Sequence, residues 1–294
     1  MAATLVIVAK TTEYGAFMRA ADFNGATVYV VGGSMGIGLA VAKQAARLGA
    51  RLAIFARRVG PLETAAAEIR QAAGDPARRV GFYSVDVADP VAVKAAIAAA
   101  VADIGAPRVL INCAGRAYPR PFADIPWEQF DETLRVNLHG CWNTIQAALP
   151  FLREHGGYIV NTSSLAGLIG VYGYSDYCAS KFAIVGFSEA LRQELRPHGI
   201  TVSVLCPPDT DTPGFSTENQ SKPQETKAIS AGAKVLSPEA VAQQLFRGMG
   251  KGTFLIIPGW EGRLGALAKR LFPRLVEWSF DRTIRRTRKQ QRGG

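Results

Sequence analysis

The sequence predicts a single α/β domain in which helices cover both faces of a seven-stranded parallel sheet. From Gly25 onward, short runs rich in Val, Ile and Leu alternate with longer Ala-rich segments. Strands of a parallel sheet are buried on both faces, so their sequences are continuous apolar runs rather than alternating patterns. The chain has 294 residues, of which 48% are hydrophobic, and this suffices for one large core. Regular alternation of strand and helix then favours a doubly wound sheet.

Seven apolar runs are the predicted strands, over residues 26–31, 51–55, 80–85, 108–112, 157–161, 201–206 and 253–258. Residues 207–237 are crowded with Pro, Asp, Thr, Ser and Gly and interrupt the alternation after the sixth run. Loops at the carboxyl edge of such sheets meet the substrate, so 207–237 is the predicted substrate loop. We expect an N-terminal extension over 1–24, a catalytic domain over 25–262 and a tail over 263–294.

Composition excludes several classes of protein. The four cysteines lack the short paired spacings of zinc sites and form no dense disulfide pattern, so we expect reduced thiols, no metal and a cytoplasmic location. No signal peptide or membrane-spanning run is predicted. Of the net charge of +10, residues 263–294 carry +8, from ten Lys and Arg against two Asp and Glu. The remaining body is nearly neutral and has no basic stripe interleaved with aromatic residues, which argues against a nucleic-acid partner.

The tail combines its positive charge with apolar residues at helical spacing. The apolar positions are Leu264, Leu267, Leu271, Leu275 and Trp278, with Arg263, Arg270 and Arg274 around them. The pattern predicts a basic amphipathic helix that Pro273 kinks or restarts, and we expect its charged end beyond Arg282 to fray. Such a helix either lies on an anionic membrane surface, at its cytoplasmic face, or docks on its own domain.

A glycine-rich turn, Gly32-Gly33-Ser34-Met35-Gly36-Ile37-Gly38, follows the first predicted strand and precedes a helix-forming run. Glycines let the turn approach a pyrophosphate, and the helix N-terminus presents free N–H groups to it. This placement predicts a Rossmann-type dinucleotide site that uses Gly32, Ser34, Gly36, Ile37 and Gly38.

The residues after the second predicted strand indicate which dinucleotide binds. NAD enzymes of this architecture carry an acid there, which binds the ribose hydroxyls. This chain has Arg57 and Arg58 instead. Arg57 can bind a 2′-phosphate through two hydrogen bonds while Arg58 adds positive charge, so the predicted cofactor is NADPH. The alternative is that both are solvated surface arginines.

Tyr177 and Lys181 lie four residues apart, on the same face of a predicted helix. A free tyrosine has a pKa near ~10, and a nearby cation stabilises the phenolate, so we expect Lys181 to lower the pKa of Tyr177. This spacing also arises by chance and is not sufficient alone. Ser164, at the end of the fifth predicted strand, adds a hydroxyl that can polarise a carbonyl, with Ser163 as a competing candidate.

Together these elements resemble the short-chain dehydrogenase/reductase superfamily over about residues 26–259. The resemblance implies that Tyr177 is the general acid beside the cofactor and that Lys181 holds the nicotinamide ribose. It implies that Ser164 orients the carbonyl and that Asn137 holds a proton-relay water. It also implies a homo-oligomer, a dimer or tetramer, through the helices that contain Asn137 and Tyr177.

The resemblance assigns further cofactor contacts and shows two departures. It implies that Asp86 and Val87 contact adenine and that Asn112, Ala114 and Gly115 contact its ribose. It implies that Pro207, Thr210 and Thr212 contact the nicotinamide amide. Val31 replaces a threonine of the family pattern, which removes a hydrogen bond worth about 1 kcal/mol. Pro208 replaces a glycine and changes how the nicotinamide amide is held.

Residues 207–226 resemble, more narrowly, the 3-ketodihydrosphingosine reductases, which reduce the 3-keto group of a long-chain sphingoid base with NADPH. The implied substrate has an ammonium group beside its ketone and a long alkyl chain, and it needs an acid and an apolar groove. Ser164 and Tyr177 are then expected to bind the ketone, and Asp209 and Asp211 the ammonium, unless both aspartates only stabilise turns. We find no counterpart of the hydrophobic membrane segments of the eukaryotic members.

Other functions remain open at this point. The chain could reduce another lipophilic ketone, such as a 3-oxoacyl thioester, a steroid or a retinoid. It could also be a catalytically silent NADP-binding regulator at a membrane, although the intact set of Ser164, Tyr177 and Lys181 argues against silence. A serine hydrolase is disfavoured because the three histidines have no recognisable triad context.

Overall fold

A computed structural model describes residues 17–75, 77 and 79–292, and its centre is a seven-stranded sheet in which every neighbouring pair is parallel. The strand order is β3-β2-β1-β4-β5-β6-β7. The strands are β1 (Thr27–Val31), β2 (Arg51–Ala56), β3 (Val80–Ser84), β4 (Val109–Asn112), β5 (Gly157–Thr162), β6 (Ile200–Leu205) and β7 (Leu255–Ile256). The predicted doubly wound sheet is confirmed, with all seven strands at the predicted positions.

Helices cover both faces of the sheet. They are α1 (Gly36–Arg47), α2 (Val59–Ala73), α3 (Pro90–Ile104), α4 (Trp127–Leu134), α5 (Gly140–His155), α6 (Ser175–Leu195), α7 (Pro213–Ser221), α8 (Gln224–Ser230), α9 (Pro238–Met249), α10 (Trp260–Leu271) and α11 (Pro273–Arg292). Successive strand residues point to opposite faces. Val28 and Val30 therefore pack with α1, α2 and α9, whereas Tyr29 and Val31 pack with α3, α5 and α6.

The predicted substrate loop over 207–237 contains two helices, α7 and α8. Helix α7 begins at Pro213 because the Thr212 hydroxyl accepts a hydrogen bond from the N–H of Phe215, at 3.1 Å. Threonine at the N-cap and proline at the first helical position are typical of helix starts. The sequence analysis did not predict these helices, because it interpreted the same residues only as breakers of the alternation.

The N-terminal boundary also differs from the prediction. Met18 and Phe23 are buried, and the Phe23 ring packs on Phe246 of α9 with centroids 4.9 Å apart. Met18 and Phe23 thus contribute to the domain core, while residues 1–16 of the predicted extension lie outside the described residues.

The tail forms two helices that meet at Pro273, as the proline predicted. The expected fraying beyond Arg282 is wrong, because α11 continues to Arg292 and packs on α8. Arg288 holds it there through Glu225, at 3.1 Å, and through the Tyr172 hydroxyl, at 3.0 Å. Within the residues that the structure describes, none of the helices combines the length and apolarity that crossing a bilayer requires.

Candidate active site

The turn between β1 and α1 has a backbone path that only glycine allows at two positions. Gly32 has a φ of 79°, and a Cβ there would lie 2.6 Å from the backbone nitrogen of Ala114. A Cβ on Gly38 would lie 2.1 Å from the carbonyl oxygen of Gly32. Side chains at these positions would force the turn away from its neighbours, so the glycines keep it tight against the sheet.

A groove of about 280 Å³ opens beside this turn, at the carboxyl edge of the sheet. It brings together twelve of the predicted cofactor residues, namely Gly32, Ser34, Gly36, Ile37, Gly38, Arg57, Arg58, Asp86, Val87, Ala114, Gly115 and Thr212. The tight glycine turn, the start of α1 and the two arginines fit the phosphates of a dinucleotide. Met35 and Val136 also line the groove and were not predicted as cofactor contacts, although Met35 lies within the glycine-rich turn.

Asn112 does not bring its side chain into this groove. The residue is buried, and its amide donates to Oδ1 of Asn161 at 3.0 Å while its carbonyl oxygen accepts from the Thr144 hydroxyl at 2.8 Å. The side chain therefore links β4 to β5 and α5 inside the core. Its predicted contact with the adenine ribose stays a prediction that this network does not favour.

Ser164, Tyr177 and Lys181 converge where β5 ends and α6 passes over it. The Ser164 hydroxyl is hydrogen-bonded to the Tyr177 phenol. Nζ of Lys181 donates to the carbonyl oxygen of Thr162 at 2.9 Å and lies 5.5 Å from the centroid of the Tyr177 ring. The competing Ser163 donates its only hydroxyl hydrogen to the carbonyl of Lys181, at 2.8 Å, so Ser164 is the serine available to a ligand.

Asn137 lies in a single π-helical turn, Arg135–His139, between α4 and α5. Its amide hydrogens bond the carbonyl of Arg116 and the Ser180 hydroxyl, both at 3.0 Å, and its oxygen accepts from the N–H of Arg116 at 2.8 Å. A Cβ on Gly115 would lie 3.3 Å both from that oxygen and from Nζ of Lys181. One lone pair of the Asn137 oxygen thus remains available next to the lysine. Short π-helical turns inside α-helices, such as Arg135–His139, are frequent at functional sites.

Burial dominates the proton affinities at this centre. The pKa of the Tyr177 phenol is raised, mainly by burial and then by the negative charge of Glu218, while the hydrogen bond with Ser164 lowers it. The net shift of the tyrosine pKa in the free protein is therefore opposite to the one expected from the charge of Lys181 alone, because burial is the largest cause. Burial also lowers the pKa of Lys181 to about 8.

This lysine pKa predicts how activity depends on pH. A lowered lysine pKa means that the ammonium loses its proton as the pH rises through about 8, whereas the raised tyrosine pKa keeps the phenol protonated. We expect kcat/KM for the nucleotide, which reports the free enzyme, to fall about tenfold per pH unit above that value. Lys181→Arg keeps its charge and should abolish the decline. A profile of the natural protein that stays flat two units above the lysine pKa would contradict this assignment.

A second cavity, of about 360 Å³, lies beside Tyr177 and Lys181. Its wall is largely apolar and comes from the end of β5, from α7 and α8 and from α11, through side chains that include Leu165, Ile169, Val171, Phe215, Ile229 and Phe280. Ser164, Tyr177, Pro207 and Thr210 line it as well. The cavity has the composition expected for a ligand with a long alkyl chain.

The two aspartates predicted to bind an ammonium group differ in position. Asp209 lines the second cavity, but Asp211 is exposed outside it, and its N–H pairs with the carbonyl of Leu236 at 2.9 Å. The role predicted for Asp211 therefore lacks support from the geometry. Glu218 and Phe280 line the cavity and were not predicted as site residues. Two signals for Glu218 were available in the sequence. Glu218 and Lys222 lie in the stretch that resembles the 3-ketodihydrosphingosine reductases, and their spacing of four residues places both on one face of a helix.

The described cysteines, histidines and acidic residues were also compared with the patterns of disulfides and metal sites. All four cysteines are free thiols. Among the described residues, no group of three or more His, Cys, Asp or Glu side chains is arranged to hold a metal ion.

Comparison with solved structures supports the fold. Levodione reductase superposes with a TM-score of 0.74 at 23% identity, covering 82% of this chain and 99% of its own. An alcohol dehydrogenase from the archaeon Thermococcus sibiricus, complexed with 5-hydroxy-NADP, has a TM-score of 0.66 at 28% identity. That alignment covers 76% of this chain and 90% of the other.

Comparison of sequences identifies the family. The short chain dehydrogenase family matches residues 26–223. A 3-ketodihydrosphingosine reductase of Dictyostelium discoideum is 38% identical over 247 residues, which are 79% of this chain and 74% of that protein. A 3-dehydrosphinganine reductase of Danio rerio is 39% identical over 241 residues, which are 81% and 73% of the two chains. The chain belongs to the short-chain dehydrogenase/reductase family.

Proposed function

We propose that this protein reduces the keto group of 3-ketodihydrosphingosine to a hydroxyl, with NADPH as the hydride donor. The observation that carries the proposal is the convergence of Ser164, Tyr177 and Lys181 on a largely apolar cavity next to the dinucleotide groove. The relatives named as reductases of this ketone support the choice of substrate. A long alkyl chain suits the apolar wall, and the carboxylates of the cavity suit an ammonium group.

A bound nicotinamide supplies the hydride in this chemistry. The hydroxyls of Ser164 and Tyr177, already bonded to each other, bind the carbonyl oxygen between them. Tyr177 donates its proton to that oxygen as negative charge develops there, and Ser164 remains a hydrogen-bond donor to it. The raised pKa of the phenol keeps it protonated at neutral pH. The charge of Lys181 stabilises the phenolate that forms.

Tyr177 must then recover a proton, and we assign this step to Lys181 and Asn137. The Lys181 ammonium and the Asn137 oxygen both lie next to Gly115. An oxygen in that position can orient a water that reprotonates the lysine. This relay is a proposal that follows from the family resemblance and from the free lone pair.

We expect NADPH to be preferred over NADH because Arg57 and Arg58, which can bind its 2′-phosphate, border the groove at the end of β2. We expect Arg57→Ala to weaken NADPH binding about 10- to 100-fold, as for loss of a charge-assisted hydrogen bond, and to change NADH binding less than about threefold. Arg58→Ala should have the smaller effect on NADPH. Fluorescence titration of both nucleotides measures this, and an equal loss for NADPH and NADH would contradict the role of Arg57.

Comparative turnover tests the substrate. The purified protein is supplied with NADPH and with 3-ketodihydrosphingosine, a 3-oxoacyl thioester, a steroid ketone or a retinoid, and products are identified by mass. We expect the highest kcat/KM for the sphingoid ketone. If only the other ketones are turned over, the protein is still a reductase but the substrate assignment is wrong. If no ketone is turned over although the nucleotide binds, the result favours a catalytically silent regulator.

The C-terminal helices supply the proposed membrane surface. Trp260, Leu264, Leu267, Leu271, Phe272, Leu275 and Trp278 are each more than half exposed on α10 and α11. The same helices cover the second cavity, since α10 packs on Leu165 and Ile169 while α11 contributes Phe280. An apolar stripe within a strongly basic tail suits an anionic membrane, from which a lipid ketone would reach the cavity. The docked helix α11 is compatible with this role, because its contacts with α8 leave the stripe exposed.

Vesicle binding tests this surface. We expect the intact protein to co-sediment with anionic vesicles at low salt and to dissociate at high salt. Leu267→Glu with Leu271→Glu should abolish binding without changing turnover of a water-soluble ketone. Val91→Glu, which alters an exposed apolar residue on α3, is the matched control and should bind normally. Failure of the intact protein to sediment would refute the membrane role.

The expected homo-oligomer through α5 and α6 stays a prediction. Trp142 on α5 and Phe182 on α6 are 50% and 45% exposed. Half-exposed aromatic side chains of this kind are enriched where protein surfaces associate.

A further inference from the structure

A cluster of charged side chains in the second cavity takes no part in the hydride and proton transfers described above. Nζ of Lys222 lies 3.4 Å from Oε1 of Glu218 and 3.5 Å from Oδ2 of Asp209. The Tyr174 hydroxyl donates a hydrogen bond to the same Glu218 oxygen. The Lys222 side chain is 3% exposed and that of Glu218 is 17% exposed, so the cluster is largely removed from water.

The charges of this cluster do not balance. Two carboxylates share one ammonium, and in the described part of the chain these carboxylates have no ion pair with another cation. Arg116 also lines the cavity, but it pairs with Glu132. Burial raises the pKa of Glu218 even though Lys222 and Tyr174 act in the opposite direction. A second cation in the cavity would therefore be attracted and would stabilise the ionised carboxylate.

The cluster lies beside the group that binds the ketone oxygen. The ring centroids of Tyr174 and Tyr177 are 5.6 Å apart, and Tyr174 is the residue bonded to Glu218. The charge of Glu218 affects the Tyr177 phenol more strongly than that of Asp209 does. Glu218 is also the more buried of the two, since the Asp209 side chain is 33% exposed. An ammonium group on the carbon next to a ketone must lie close to Tyr177 when the ketone is bound, which places it near Glu218.

We propose that Glu218, held in position by Tyr174 and Lys222, binds the ammonium group of an α-amino ketone and selects amine-bearing ketones for reduction. The inference rests on the proposed function and gives Glu218 the role that the sequence pattern suggested for Asp209 and Asp211. It has a consequence for rate as well as for binding. A substrate ammonium would neutralise the carboxylate that raises the proton affinity of Tyr177, and would so make the phenol a better acid.

The test compares Glu218→Gln with the natural protein on two ketones, 3-ketodihydrosphingosine and its analogue in which hydrogen replaces the amino group. Glutamine preserves an oxygen for the Tyr174 hydrogen bond but removes the charge. We expect kcat/KM for the amino ketone to fall about 10- to 100-fold and that for the analogue to change less than about threefold. Glu239→Gln, which makes the same change at an exposed glutamate outside both cavities, is the matched control and should change neither value. Equal losses on both ketones would overturn the inference while leaving the proposed function intact.

A second measurement separates this inference from the substrate assignment. A long-chain primary alkylamine and the matched alcohol are tested as inhibitors of whichever ketone the protein reduces, in the natural protein and in Glu218→Gln. We expect the amine to inhibit more strongly than the alcohol, and the variant to lose that difference. If the natural protein does not reduce the sphingoid ketone, the proposed function fails, and this inhibition still decides the role of Glu218. Equal inhibition by amine and alcohol in the natural protein would overturn the role.

Discussion

Tyr177→Phe is expected to lower kcat for ketone reduction by about 10²- to 10⁴-fold, the range associated with loss of a general acid. The phenol lines the second cavity and is bonded to Ser164, so the change removes the proton donor and little packing. The lost hydrogen bond should reduce the free energy of unfolding by only about 1 kcal/mol. NADPH affinity should change less than about threefold, since the phosphates bind elsewhere. Steady-state kinetics, nucleotide titration and thermal unfolding measure these three quantities.

Tyr172→Phe is the matched control for this change. Its hydroxyl bonds Arg288 on the tail rather than a catalytic group, and its loss should leave kcat within about threefold. If Tyr177→Phe retained more than about a tenth of the natural kcat, another group would have to donate the proton. The catalytic assignment would then be wrong even if the substrate were right.

Gly38→Ala is expected to abolish measurable NADPH binding. The added methyl group would lie 2.1 Å from the Gly32 carbonyl oxygen, so the turn that approaches the pyrophosphate would have to open. Gly32 cannot move freely, because it lies against the backbone of Ala114. Forced overpacking of this kind also lowers the free energy of unfolding, by about 1–3 kcal/mol. Nucleotide titration and denaturant unfolding measure the two effects.

Gly186→Ala provides the matched control, because Gly186 is also helical and a Cβ there would have no atom within 4 Å. We expect unchanged nucleotide affinity and a gain in stability of up to about 1 kcal/mol, since alanine favours helix more than glycine does. Natural affinity in a folded Gly38→Ala protein would show that the nucleotide does not bind at this turn.

The sheet was predictable because its strands are buried on both faces, which leaves uninterrupted apolar runs in the sequence. The seventh strand was overestimated. It pairs with β6 at Leu255 and Ile256, whereas the predicted strand covered residues 253–258. Helices α7 and α8 were not predicted, because their polar composition has no apolar stripe and their starts resemble turns. Local pattern therefore located the core elements better than the elements that enclose the substrate.

The same contrast applies to the site. Short motifs contain the cofactor residues and the set of Ser164, Tyr177 and Lys181, so the sequence alone could identify them as candidates. Glu218 and Phe280 enter the cavity through the packing of α7 and α11, which no local spacing specifies. The pKa of Tyr177 was predicted in the wrong direction because a spacing of four residues indicates a nearby lysine but not the depth of burial.

The most direct test of the central claim is the fate of a labelled hydride. NADPH that carries deuterium at both transferable positions of its nicotinamide is incubated with the protein and 3-ketodihydrosphingosine, and the product is analysed by mass spectrometry. We predict one deuterium per molecule of dihydrosphingosine, located on the former keto carbon, and at most about a hundredth as much labelled product from Tyr177→Phe over the same time. Nucleotide oxidation without labelled dihydrosphingosine, or label at another carbon, would contradict the claim.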